Sequence, residues 1–80
     1  MEKVMIKMFT GEMMLFPKQY AKKVQRKQDL VRQALQLQNI LRTTKQMGAT
    51  VPAVEDELKK VMGQIIRINR QIPPCGEVVR

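Results

Sequence analysis

Residues 52–72 read PAVEDELKKVMGQIIRINRQI. Within that stretch Val54, Leu58, Val61, Ile65, Ile68 and Ile72 step by four and three without a miss, the spacing that aligns one face of an α-helix into a heptad seam. Pro52 suits the first helical turn, where its missing N–H removes no bond, and Glu55, Asp56 and Glu57 meet the positive end of the helix dipole. Arg67 and Arg70 suit the opposite end, and Pro73–Pro74 stops the helix. Met62 and Ile66 widen the seam, while Gly63 weakens the helix by about 1 kcal/mol relative to Ala. Asn69 lies beside the seam, where it either fixes register or stays solvated.

Upstream, Gly48 can take a left-handed helix cap, and residues 18–47 contain neither Gly nor Pro. With Pro17 at its start, this reads as one long helix, about 45 Å at 1.5 Å per residue. Steps of about 100° gather Tyr20, Val24, Leu30, Val31, Ala34, Leu35, Leu37 and Leu41 into a broad apolar arc. An arc this wide requires more than one neighbour. The short connection to residues 52–72 makes the two helices antiparallel, and the shorter one covers only residues 27–47 of the longer. The remaining overhang carries Lys18, Lys22, Lys23, Arg26 and Lys27 and no acid. Its Tyr20 and Val24 need cover from the N-terminal segment or a second subunit.

Residues 1–16 alternate in part, with Val4, Ile6 and Met8 on one side and Lys3, Met5 and Lys7 on the other, as a half-buried strand requires. A β-hairpin turning at Phe9-Thr10-Gly11 has two possible registers. A three-residue loop with Gly11 left-handed puts Met14 and Phe16 beside Val4, Ile6 and Met8, whereas a two-residue Thr–Gly turn exchanges them for Met13 and Leu15. An amphipathic helix competes with both, because Met is a good helix former and five of the seven Met fall here. Val78 and Val79 in the tail, residues 73–80, either add a short strand or stay mobile. The fold class is therefore mainly α, an N-terminal β-hairpin followed by a long antiparallel helical hairpin, assembled as a dimeric helix bundle. All 80 residues form a single small domain, divided at 1–16, 18–47, 52–72 and 73–80.

Residue inventory excludes most chemistry. The chain has no His, no Ser and one Cys, so nucleophilic triads lack a base and a structural zinc site lacks ligands. Glu55, Asp56 and Glu57 are sequence neighbours that cannot face one another on a helix, and helix-start electrostatics explains them without an ion. No enzyme activity, cofactor, metal or small-molecule substrate is expected. The single Cys75 suits a reducing compartment, no apolar run is long enough to span a membrane, and no signal-peptide pattern is present, which makes the cytoplasm the expected location.

Charge supplies the positive indication. The formal net charge is +8, and residues 17–47 carry eight bases against one acid, Asp29. A solvated helix usually interleaves Glu with Lys at four-residue spacing, as Glu55–Lys59 and Asp56–Lys60 do in the second helix. The first helix does not. Lys18, Lys22, Lys23, Arg26, Lys27 and Arg32 are therefore the candidate nucleic-acid or polyanion contacts. Tyr20 among them either stacks on a base or joins the buried arc.

The expected function is a non-enzymatic, basic, dimeric regulator that binds nucleic acid or a nucleic-acid complex through the basic face of its long helix. The alternative is a small adaptor or inhibitor, of a kind often carried by phages or mobile elements, that docks its helical hairpin on a partner enzyme with an acidic surface. The order of strand, Pro17, helix, Gly48 and second helix is similar to that of ribbon-helix-helix repressors, which would make Lys3, Met5 and Lys7 the groove-entering positions. The chain departs from that pattern in its Thr10–Gly11 turn, its second apolar segment and a first helix about twice the expected length.

Overall fold

The computed structural model describes residues 2–79; Met1 and Arg80, at the outer bounds of the first and last expected segments, lie outside them. The chain runs β1 (Lys3–Lys7), β2 (Met13–Pro17), α1 (Lys18–Gln46), α2 (Pro52–Gln71) and β3 (Glu77–Val78). It is mainly helical, with a small antiparallel sheet in the order β1-β2-β3.

The hairpin takes the three-residue loop. Val4 opposes Phe16, Ile6 opposes Met14 and Lys7 opposes Met13. The Met8 N–H donates to the Glu12 carbonyl at 2.7 Å and the Gly11 N–H to the Met8 carbonyl at 2.9 Å. Gly11 closes this turn at φ 95°, a conformation that a side chain disfavours. Val4, Ile6, Met14 and Phe16 consequently share the face that packs on α1. Lys3, Met5 and Lys7 share the other.

Pro17 both ends β2 and precedes α1, so no linker separates sheet from helix. Its φ of −55° serves both conformations, and the Lys18 N–H, left without an intrahelical partner, donates to the Glu2 carbonyl at 3.0 Å. The tail returns along β2 as β3, with Val78 opposite Met14 and Glu77 opposite Leu15. Gly76 makes that return possible. At φ 120° it leaves no room for a side chain, because a Cβ would fall 2.8 Å from Cε1 of Phe16 and 3.1 Å from Cε of Met14.

At the other end of α1 the Gly48 N–H donates to the Lys45 carbonyl and the Ala49 N–H to the Thr44 carbonyl, each at 3.0 Å, with Gly48 at φ 77°. These two bonds are a Schellman cap, which satisfies carbonyls that the helix leaves open. The chain then reverses into α2 within residues 47–51.

The apolar side chains form two clusters. Ile6, Phe16, Ala21 and Val24 are buried at the sheet end, flanked by Val4, Met8, Met14, Ile72 and Cys75. Leu30, Ala34 and Val61 are buried between the helices, flanked by Leu37, Leu58, Ile65 and Ile68. The wide arc of α1 thus meets two neighbours, the sheet near its start and α2 farther along. Two details differ from the sequence reading. Ala21, beside Tyr20, is the buried residue of the first turn while Tyr20 is half-buried. Leu35, expected within the arc, remains 50% exposed because it faces the side of the helical hairpin that the sheet stops short of covering.

Candidate nucleic-acid interface

The six candidate cations do not share one face. Lys18, Lys22 and Arg26 follow one another at four-residue steps and form an exposed row about 12 Å long. By helical periodicity this row points away from both the sheet and α2. Lys23 and Lys27 form a second row, half-buried, that runs toward the end of α2. There the Lys27 Nζ donates to Oδ1 of Asn69 at 2.7 Å. Arg32 stands apart, beside Lys7 and the Phe9-Thr10-Gly11 turn.

The antiparallel hairpin adds two cations that sequence reasoning assigned only to the helix dipole. The Lys27–Asn69 bond fixes the last turn of α2 beside residues 24–29 of α1. Arg67 and Arg70, both exposed and flanking Asn69, therefore join the same end of the molecule as Lys22 and Arg26. The missed signal was the helical overlap itself, since equal rise in two antiparallel helices already aligns those positions.

Four of the seven acids, Glu2, Glu12, Asp29 and Glu77, lie at this end, where the bases outnumber them. Among the described residues the ion pairs are Lys18–Glu2 at 3.1 Å and Lys3–Glu77 at 2.7 Å, all four side chains substantially exposed. Exposed pairs of this kind contribute little to stability and leave the local excess of positive charge intact. Asp29 lies one turn beyond Arg26 without reaching ion-pair distance of it. Glu55, Asp56 and Glu57 are at the opposite end, in the first turns of α2. That puts them about 25–30 Å from Lys22, about three times the roughly 8 Å screening length at physiological salt. These three acids therefore do not neutralise the basic row, whose one ion pair among the described residues is Lys18 with Glu2.

The seam residues sit elsewhere. Leu58, Val61, Ile65 and Ile68 pack on α1 within the chain, Ile72 joins the sheet-end cluster, and Val54 is half-buried near the turn. The heptad face is thus used inside one chain. Tyr20 is half-buried and off the exposed row, which leaves that row without an aromatic platform. Lys3, Met5 and Lys7 lie on the outer sheet face, with Lys3 tied to Glu77 across the sheet. Among the described residues no three metal-ligating side chains converge, and no helix is long and apolar enough to cross a membrane. No protein-family model, curated protein or solved structure matches the chain.

Proposed function

We propose that this is a non-enzymatic regulatory protein that binds the phosphate backbone of nucleic acid through the basic end of its helical hairpin. The observation that carries this reading is the uneven charge along the rod: at the sheet end Lys18, Lys22, Lys23, Arg26, Arg67 and Arg70 add to an excess over the acids Glu2, Glu12, Asp29 and Glu77, whereas toward the tip Arg42, Lys45, Lys59 and Lys60 nearly balance Glu55, Asp56 and Glu57. Over the roughly 12 Å from Lys18 to Arg26, duplex DNA presents about seven negative charges, enough to engage every member of the row. The lysine ammonium groups act there as point charges on flexible stems, and the arginine guanidinium groups can pair with phosphate oxygens in bidentate fashion. With no stacking ring in the row, affinity comes from counterion release and sequence preference is weak.

Fluorescence anisotropy with labelled 20-mer duplex DNA and with single-stranded RNA tests the reading. Lys22→Glu combined with Arg26→Glu is expected to weaken binding about 100-fold or more at low salt, and wild-type affinity is expected to fall steeply between about 50 and 200 mM salt. Lys59→Glu with Lys60→Glu, at the remote end, leaves affinity within about twofold. If the first double variant binds as tightly as the wild type, the basic end is not the interface.

A second reading, an adaptor or inhibitor docked on an acidic partner enzyme, is supported by the outer sheet face. There exposed Met5 and half-buried Met13 and Leu15 form an adaptable apolar patch, edged by Lys7 and by the Lys3–Glu77 ion pair. Recovery of one stoichiometric protein after nuclease treatment favours that reading over the first.

A further inference from the structure

The chain exposes more surface than its size requires. Its accessible area is 6320 Å², whereas a folded monomer of 9.3 kDa has about 5,000 Å². Its radius of gyration is 15.5 Å, against about 12 Å for a compact chain of this length. Part of the excess is apolar: a groove under the sheet continues, by helical periodicity, into an exposed apolar strip along the helix pair. Lys27 and Gln28 of α1 and Asn69 of α2 line that groove under the sheet, together with Met8, Met14 and Phe16. Helical periodicity continues the same rows to Val31 and Leu35 on α1 and to Ile66 and Met62 on α2. There the sheet has ended, and Leu35, Met62 and Ile66 remain 50%, 46% and 54% exposed. The molecule is stepped. The riser is the β1–β2 turn, held to α1 by the Phe9 N–H donating to Oε1 of Gln28 at 3.1 Å, with Phe9 55% exposed.

We propose that a second copy of this chain covers the groove, in a two-fold dimer in which each helical-hairpin tip seats against the other copy's step. Three observations favour a second copy. A standard interface removes about 800 Å² per partner, which is of the order of the surplus. The step is self-complementary, because two-fold symmetry placed near residue 39 brings the tip of one copy, where Met47 is 79% exposed, onto Val31, Leu35, Met62 and Ile66 of the other. Charge permits it as well. This arrangement keeps the two basic ends about 50 Å apart, far beyond the screening length, while Arg42 and Glu55, neighbours near the axis, can exchange partners of opposite sign. The alternative contact, pairing two β1 edges about Met5, sets Lys3 directly opposite Lys7 of the other copy, which like-charge repulsion disfavours.

Sedimentation equilibrium up to about 200 μM gives the first reading, with a dimer of twice 9.3 kDa expected. Leu35→Glu with Ile66→Glu should raise the dissociation constant at least about 100-fold while leaving helical circular dichroism unchanged. A cross-link removes dependence on that variant. In a Cys75→Ala background, a Leu35→Cys chain mixed with a Met47→Cys chain should form a mixed disulfide under mild oxidation far faster than a Gln33→Cys chain does with the same partner. A monomer at every concentration overturns the proposal and leaves the groove to a different chain. A dimer unaffected by the groove substitutions, or a mixed disulfide no faster than the control, equally overturns it.

Discussion

The two apolar clusters are built from different materials. At the sheet end, strands β1 and β2, helix α1, the end of α2 and the tail converge on Phe16 and Val24, so cover arrives from several directions. Between the helices only α1 and α2 contribute, and the layer of Leu30, Ala34 and Val61 is closed by half-exposed neighbours. No side chain in either cluster is completely removed from solvent. An elongated chain of this size divides its limited apolar material between two thin cores joined by the continuous α1.

The largest expected effect tests whether the clusters are one cooperative unit. Val61→Asp places an uncompensated charge at a position 3% exposed, a change on the order of 4 kcal/mol and comparable with the whole stability of a small domain. Helical circular dichroism and the near-ultraviolet signal of Tyr20 should be lost together. If the helix-pair cluster melts while the Tyr20 signal persists, the clusters are independent.

A smaller perturbation separates them. Gly76→Ala combines an unfavourable φ with a clash against Phe16 and Met14, for about 2 kcal/mol, and acts only on the sheet-end cluster. Amide exchange should accelerate at Val79, whose N–H donates to the Met13 carbonyl, more than at Ile65 or Ile68. Equal acceleration at all three sites would show that β3 belongs to the same opening unit as α2.

The smallest effect has the opposite sign. Gly63 has an ordinary helical backbone, and a Cβ there would meet nothing within 4 Å, so Gly63→Ala should stabilise the helix pair by about 1 kcal/mol. The melting temperature should rise by about 4–8 °C. No rise would mean that the glycine is answering a packing need within α2.

Much of this architecture was legible because α2 carries redundant signals. Its uninterrupted seam, Pro52, the following Pro73–Pro74 and the preceding Gly48 all agree, and agreement across levels leaves little freedom. The β-hairpin was less determined. Met13, Met14, Leu15 and Phe16 are all apolar, so a slip of one residue is not penalised by exposing a polar side chain, and only the turn geometry at Gly11 chooses the face. Ala21 as a core residue was hidden for a related reason. A small side chain signals burial weakly beside Tyr20, yet Ala21 packs with Ile6 of β1 and Phe16 of β2 in the buried cluster. For the basic site, helix content was readable but shared position was not. Periodicity separates Lys27 and Arg32 from the Lys18–Lys22–Arg26 row, and the antiparallel return brings Arg67 and Arg70 to the same end of the rod, on the face of α2 turned away from α1.

The junction at Pro17 has a mechanical consequence. Because one residue closes a strand and opens a helix, the bearing of the sheet around the rod is set by covalent geometry, and the sheet cannot swivel without unwinding the first turn of α1. The reversal at 47–51 has slack by comparison. Thermal loosening should therefore begin at that tip and travel inward, and the cations nearest Pro17 should be the last to lose their fixed spacing.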